Sequence, residues 1–353
     1  MKQQTLIFSL LALLVFSFSC KKDEQPFQDC FTQPKDKGLK LTVLEGPTVE
    51  QPAKVSVFFK VQEDDNDPVG YLTQDDFIIY EKGVNDECYR VISDVEAKRR
   101  ISGRAQVFNH TTLLVLDLSG SVLQTSLTEL KNAATAFIDA IIPDTLDTST
   151  AMGIYWFDGE DSLHVLEPVT SDKSLLKGAV VSISASISSD NSTDLFGAVI
   201  KSTNEATAVL ASFQDQNIIA AASVVIFTDG RDRAGRYLRQ DAYNAVATAN
   251  SDISFFTIGV GSEINAVDLK AIGKNDYQLA TSVSQLSTVF KNIALQVGAE
   301  ANSYYFFEYC SPIRSGKENG LIIEAGYRSS TGDKVGFIQA TFDASTFTGG
   351  CQL

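Results

Sequence analysis

From about residue 110 to residue 297, the apolar residues alternate between unbroken runs and helical spacing, and this alternation limits the possible folds most sharply. "TTLLVLDLSGS" opens with the run Leu113 to Leu116, the pattern of a parallel strand covered on both faces. "LTELKNAATAFIDAII" then places Leu127, Leu130, Ala134, Phe137, Ile138 and Ile141 at helical spacing. Strands are predicted at "AMGIYWF", "LHVLEPV", "ASVVIFTDG" and "ISFFTIGVG". Helices are predicted at "LFGAVIKSTNEATAVLASF", "YLRQDAYNAVATAN" and "VSQLSTVFKNIALQV". Such alternation implies an α/β fold, a doubly wound and mostly parallel sheet with helices on both faces.

The flanks have a different period. Val55, Val57, Phe59 and Val61 alternate with Lys54, Ser56, Lys60 and Gln62, which predicts a strand with one face in water. "FIIYE" and "CYRVISDV" follow on the N-terminal side, and "SYYFFEY", "GLIIEAGY" and "KVGFIQATF" on the C-terminal side. Together the flanks offer enough short strands for one β-sandwich. A chain of 353 residues has room for two domains. The expected division is residues 37–108 as an N-terminal β segment, 109–298 as an inserted α/β domain, and 299–353 as a C-terminal β segment packing with the first. The join "GAEAN" (Gly298 to Asn302) is expected to be a short linker.

In open α/β sheets, ligands bind beyond the carboxyl ends of the strands, where strand order reverses. Asp117, Ser119 and Ser121 leave the end of one predicted strand, and Asp229 leaves another. Thr193 lies in a loop that opens a helix. Two carboxylates and three hydroxyls, with no imidazole or thiolate, suit Mg²⁺, Mn²⁺ or Ca²⁺ and disfavour zinc or copper. Residues 110 to 298 resemble a von Willebrand factor A domain, and DxSxS…T…TDG resembles its metal-ion-dependent adhesion site. The resemblance implies that Ser119, Ser121 and Thr193 hold the cation, Mg²⁺ foremost. Asp117 and Asp229 would act directly or through water. The family often has glycine before the threonine, where this chain has Ser192. The resemblance also implies that the last helix moves with the metal loops, so a ligand at the site is expected to shift that helix.

The net charge is −15, from 44 acidic and 29 basic residues, which argues against nucleic acid or anionic lipid as the main partner. An acidic protein ligand or a glycan, reached through the cation, fits better. An envelope scaffold that uses the domain inside a stable complex is the alternative. An enzyme reading finds little support, and a metal-dependent hydrolase is only a remote alternative. The chain has two histidines and neither GxxxxGK[ST] nor GxGxxG. His110 precedes Asp117 by seven residues on one strand, about 20 Å away. His164 falls on an expected edge strand.

At the N-terminus, Lys2 precedes the apolar run "LIFSLLALLVFSF" (residues 6 to 18), which ends at Ser19-Cys20. This segment resembles a bacterial lipoprotein signal, with residues 1–19 removed and Cys20 acylated. A plain secretory peptide is the alternative, and either one sends the protein out of the cytoplasm. Residues 20–36 are expected to be anchor and tether. "KKDEQ" resembles the charged tag of surface-exported lipoproteins in some Gram-negative bacteria, which places the protein on the outer membrane, with the lipid its only membrane contact. Apart from Cys20, the cysteines are Cys30, Cys88, Cys310 and Cys351, an even number in an oxidising compartment. Of the three pairings, Cys30–Cys88 with Cys310–Cys351 is favoured.

Overall fold

A computed structural model describes residues 36–102, 108–144, 149–216, 218–330 and 332–353. The signal segment, Cys20 and Cys30 lie outside the described residues. The N-terminal flank forms β1 (Leu39–Glu50), β2 (Lys54–Glu63), β3 (Phe77–Lys82), β4 (Arg90–Ile92) and β5 (Arg99–Ser102). The middle of the chain begins with β6 (Phe108–Asp117), α1 (Gly120–Thr125), α2 (Leu127–Ile141), β7 (Thr150–Phe157), β8 (His164–Thr170) and α3 (Lys173–Ser182). It continues with α4 (Leu195–Gln214), β9 (Ile219–Thr228), α5 (Arg239–Thr248), β10 (Ile253–Val260), α6 (Ala266–Ile272), β11 (Asp276–Ala280) and α7 (Leu286–Ala301). The C-terminal flank adds β12 (Tyr304–Cys310), β13 (Asn319–Ser329) and β14 (Gly332–Phe342).

The middle strands form a six-stranded sheet in the order β11-β10-β9-β6-β7-β8. All neighbours are parallel except the edge pair β7–β8. Period two divides β6 between two cores. Leu114 and Leu116 pack in the layer of Phe137 on α2 and Phe290 on α7, while Leu113 and Val115 pack in the layer of Val199 on α4 and Val246 on α5. The chain leaves β6 toward β7 and β8, then returns to place β9 on the other side of β6. Strand order therefore reverses between β6 and β9.

Four elements carry too little signal to be read from the sequence. Helix α3 buries only Leu176 and Val180 and starts at Asp172, whose side chain accepts from the Ser174 and Leu175 amides. The edge strand β11 buries only Ala280. Helices α1 and α6 span less than two turns of helical period.

The flanking strands make two four-stranded sheets, β1-β2-β12-β5 and β14-β13-β3-β4. Each sheet draws on both flanks, with β12 between β2 and β5 and β13 between β14 and β3. Val57 and Phe59, Phe77 and Ile79, Phe307 and Tyr309, and Leu321 and Ile323 fill the core between them. Cys310 and Cys351 form a disulfide with 5.7 Å between their Cα atoms. Cys88 is also disulfide-bonded, and its favoured partner Cys30 lies outside the described residues.

Two sequence expectations change here. The second face of β2 is not in water, because Ser56, Phe58 and Lys60 are all buried. Phe58 meets Phe108 at the start of β6 and Tyr304 at the start of β12, with centroids 5.9 and 6.2 Å apart. Lys60 pairs with Glu300 near the end of α7. Both ends of the inserted domain thus dock on the outer face of one sandwich sheet. Nor is "GAEAN" a linker: α7 runs through it to Ala301, and Val297, Glu300 and Ala301 are buried. Among the described residues, no helix is long and apolar enough to cross a membrane.

Candidate metal centre

The site begins where the burial of β6 ends. Asp117, its last residue, has no exposed surface, nor does Ser119. Asp117 Oδ1 accepts from the Ser119 amide at 2.9 Å, and Oδ2 accepts from the Thr228 hydroxyl at 2.7 Å. The chain then turns into α1, with Ser119 at its N-cap and Ser121 in its first turn. The two serine hydroxyls lie 3.4 Å apart, and Ser121 donates to Asp229 Oδ1 at 3.0 Å.

Thr193 arrives from the loop before α4 and is almost fully buried. Its carbonyl accepts from the Arg233 and Ala234 amides, at 2.9 and 3.2 Å, which ties its loop to the segment after β9. A Cβ built on Gly230 would stand 3.9 Å from Thr193 Oγ1, so the threonine hydroxyl and the Asp229-Gly230 turn face one another. Gly120 has no such room. A Cβ there would fall on Asn191 Oδ1, and its amide donates to the Asp190 carbonyl at 3.1 Å.

These residues open on a cleft of about 460 Å³, lined in part by Ser121, Asn191, Thr193, Asp229 and Glu263. Burial pushes the Asp117 carboxyl up to about 7, against the pull of its Thr228 and Ser119 hydrogen bonds and with the neighbouring Asp229 charge adding to the rise. Asp229 is also raised, first by burial and then by Glu263, while Ser121 and Arg233 oppose the shift. Two desolvated carboxylates facing hydroxyls form a hard-oxygen donor set, which suits a divalent cation of the Mg²⁺ class. The five residues singled out from the sequence therefore meet at one point, beside the β6–β9 reversal.

Sequence reasoning missed the supporting layer. Thr228 precedes Asp229 at the end of β9, and its hydroxyl holds Asp117 while accepting from the Gly230 amide at 3.2 Å. Its only sequence signal is a polar residue closing an apolar run. Asp194 caps α4 by accepting from the Gly197 amide, and Asp232 accepts from the Phe196 amide. Arg233 pairs with Glu263 across the cleft rim.

The von Willebrand factor type A domain model matches residues 113–294, just over half the chain. The chain belongs to this family. The matched residues run from within β6 to within α7. Among solved structures, the chain is similar to the conserved hypothetical protein BatB from Bacteroides thetaiotaomicron, at 21% identity and a TM-score of 0.42, covering 55% of this chain and 100% of that one. It is similar to proximal thread matrix protein 1 from the mussel byssus, described with a zinc-occupied adhesion-site motif, at 16% identity and a TM-score of 0.43, covering 55% and 48%. A von Willebrand factor type A protein from Catenulispora acidiphila covers more of the chain, 91% against 78% of its own, at 12% identity and a TM-score of 0.45. No curated protein matches the chain.

Proposed function

We propose that this protein is a cell-surface binding module that takes a protein or glycan ligand through a divalent cation at its von Willebrand factor A domain. Bound there, the cation supplies a Lewis-acidic position that an acidic side chain or sugar oxygens can occupy. Ser119, Ser121 and Thr193 hold it, and Asp117 and Asp229 supply the negative charge. The observation that carries the reading is the gradient of burial across these five residues. Asp117, Ser119 and Thr193 are sealed, Asp229 is half-buried and Ser121 is exposed at the cleft. A cation held from below in this way faces outward, toward a partner.

A binding role, not a hydrolytic one, is supported by the two imidazoles. His110 Nε2 lies 3.1 Å from Ser223 Oγ, at the opposite end of β6 from Asp117. His164 stacks on Trp156 at the β7–β8 edge. Neither is offered to Ser119 or Ser121 as a base. Acylation of Cys20 would anchor the module on the outer membrane, and Cys20→Ala is expected to release it from the membrane fraction.

Calorimetric titration with Mg²⁺ and Mn²⁺, paired with capture of surface partners with and without EDTA, tests the reading. The wild-type protein is expected to bind one cation and to retain partners only without chelator. Asp117→Ala is expected to lose both activities with its circular dichroism unchanged. Unchanged cation affinity in Asp117→Ala would overturn the reading.

A further inference from the structure

The six-residue connection between β7 and β8 begins with Asp158 and Glu160, and β8 opens with His164. None of the three belongs to the adhesion site. One ligand atom from each lies within 4.8 Å of the others. Asp158 is buried and firmly oriented. Its Oδ1 accepts from the Glu160 amide at 2.8 Å, and its Oδ2 accepts from the Ser188 hydroxyl. Each oxygen keeps a lone pair beyond these bonds.

His164 is just as constrained. It sits opposite Trp156 in the antiparallel β7–β8 register, and the two rings stack with centroids 4.0 Å apart at 15°. Its Nε2 is shielded from solvent and makes no hydrogen bond. The Glu160 Oε2 atom stands 3.9 Å away, too far for a hydrogen bond. Two ligands on a tetrahedral ion with bonds near 2.1 Å are separated by roughly 3.4 Å. The exposed Glu160 side chain can close that difference by rotation.

We propose that Asp158, Glu160 and His164 form a second cation site, distinct from the all-oxygen site, for a borderline divalent ion such as Zn²⁺. An imidazole beside two carboxylates is the donor set that such ions favour, and three protein ligands leave a fourth position for water. The site also has a task in the fold. The Asp158 carbonyl accepts from the Asp194 amide at 2.7 Å, and its carboxylate holds Ser188. A Cβ on Gly159 would collide with Ser192 Oγ. The hairpin thus lies directly against the loop from Ser188 to Asp194, which carries Thr193. An ion here braces that loop without touching the adhesion site.

Trp156 is the only tryptophan in the chain and lies on the proposed ligand, so its fluorescence reports directly on His164. Zn²⁺ is titrated into the full-length protein with Mg²⁺ in excess, followed by calorimetry and by Trp156 emission. Wild type is expected to bind Zn²⁺ with a saturating change in emission. His164→Gln is expected to weaken Zn²⁺ binding by at least about tenfold and to remove the emission change. Glu160→Gln, at an exposed position with no packing role, is expected to weaken it as well. Asp117→Ala is expected to leave both readouts intact, which separates this site from the adhesion site. Zn²⁺ affinity unchanged in both His164→Gln and Glu160→Gln would overturn the proposal. So would loss of the response in Asp117→Ala.

Discussion

A carboxyl with no solvent exposure, such as that of Asp117, is tolerable only where hydrogen-bond donors are built around it. Here the donors are the Ser119 amide and the Thr228 hydroxyl, and only the first comes from the neighbouring sequence. Thr228→Val keeps the shape and removes the second donor. Divalent-cation affinity in this variant is expected to fall about ten- to a hundredfold, measured by calorimetry, because an outer-shell partner has been lost. Glu81 poses a similar problem away from the site. It is buried in the sandwich and accepts from the Tyr309 hydroxyl at 2.9 Å. Burial raises its carboxyl, while hydrogen bonds from Ser311 and Tyr309 pull it back. A raised folded value means that stability is fully present below the unfolded value and is lost as pH rises through the folded one. Glu81→Gln is therefore expected to flatten the decline in stability above about pH 4.5, followed by urea unfolding across pH. An unchanged slope would mean that Glu81 ionises without cost.

At the scale of elements, α7 ties the two halves of the molecule together. Its Glu300 pairs with Lys60 of β2, and both side chains are buried. A Cβ on Gly70 would lie 2.9 Å from the Ala299 carbonyl oxygen, so the segment after β2 rests directly on the last turn of the helix. Removing one member of a buried ion pair leaves the other charge uncompensated, so Glu300→Ala is expected to cost about 3–5 kcal/mol in chemical denaturation. The double variant Lys60→Met/Glu300→Leu removes both charges and is expected to recover most of that loss. Failure to recover would mean that packing, not charge, dominates at this seam. This clamp also bears on the helix movement expected from the family resemblance. A shift of α7 would have to carry the sandwich face with it. Cation binding is then expected to alter amide exchange in the segment around Gly70 as well as in α7.

At the scale of the whole molecule, the sandwich exists only when both flanks are present, since β12 and β13 are interior strands of its two sheets. A chain ending at Ser303 keeps β1 to β5 but loses those interior strands. Limited proteolysis of that fragment is expected to cut within residues 37–102 while sparing β6 to α7; equal protection of the flank would contradict the shared-sheet topology. The Cys310–Cys351 disulfide closes a loop of 41 residues and is expected to contribute roughly 2–4 kcal/mol, read as the loss on Cys351→Ser. By itself the sequence determined the α/β middle, the β flanks and the choice of five oxygen-bearing residues that the fold gathers beside one cleft, because hydrophobic period and a motif at strand ends are local properties of the chain. It could not show that the apparent polar face of β2 is covered, since that cover comes from Glu300, 240 residues away from Lys60. The partners Thr228 to Asp117 and Ser188 to Asp158 were hidden for the same reason. A lone hydroxyl carries no periodicity, and only folding decides which buried carboxylate it serves.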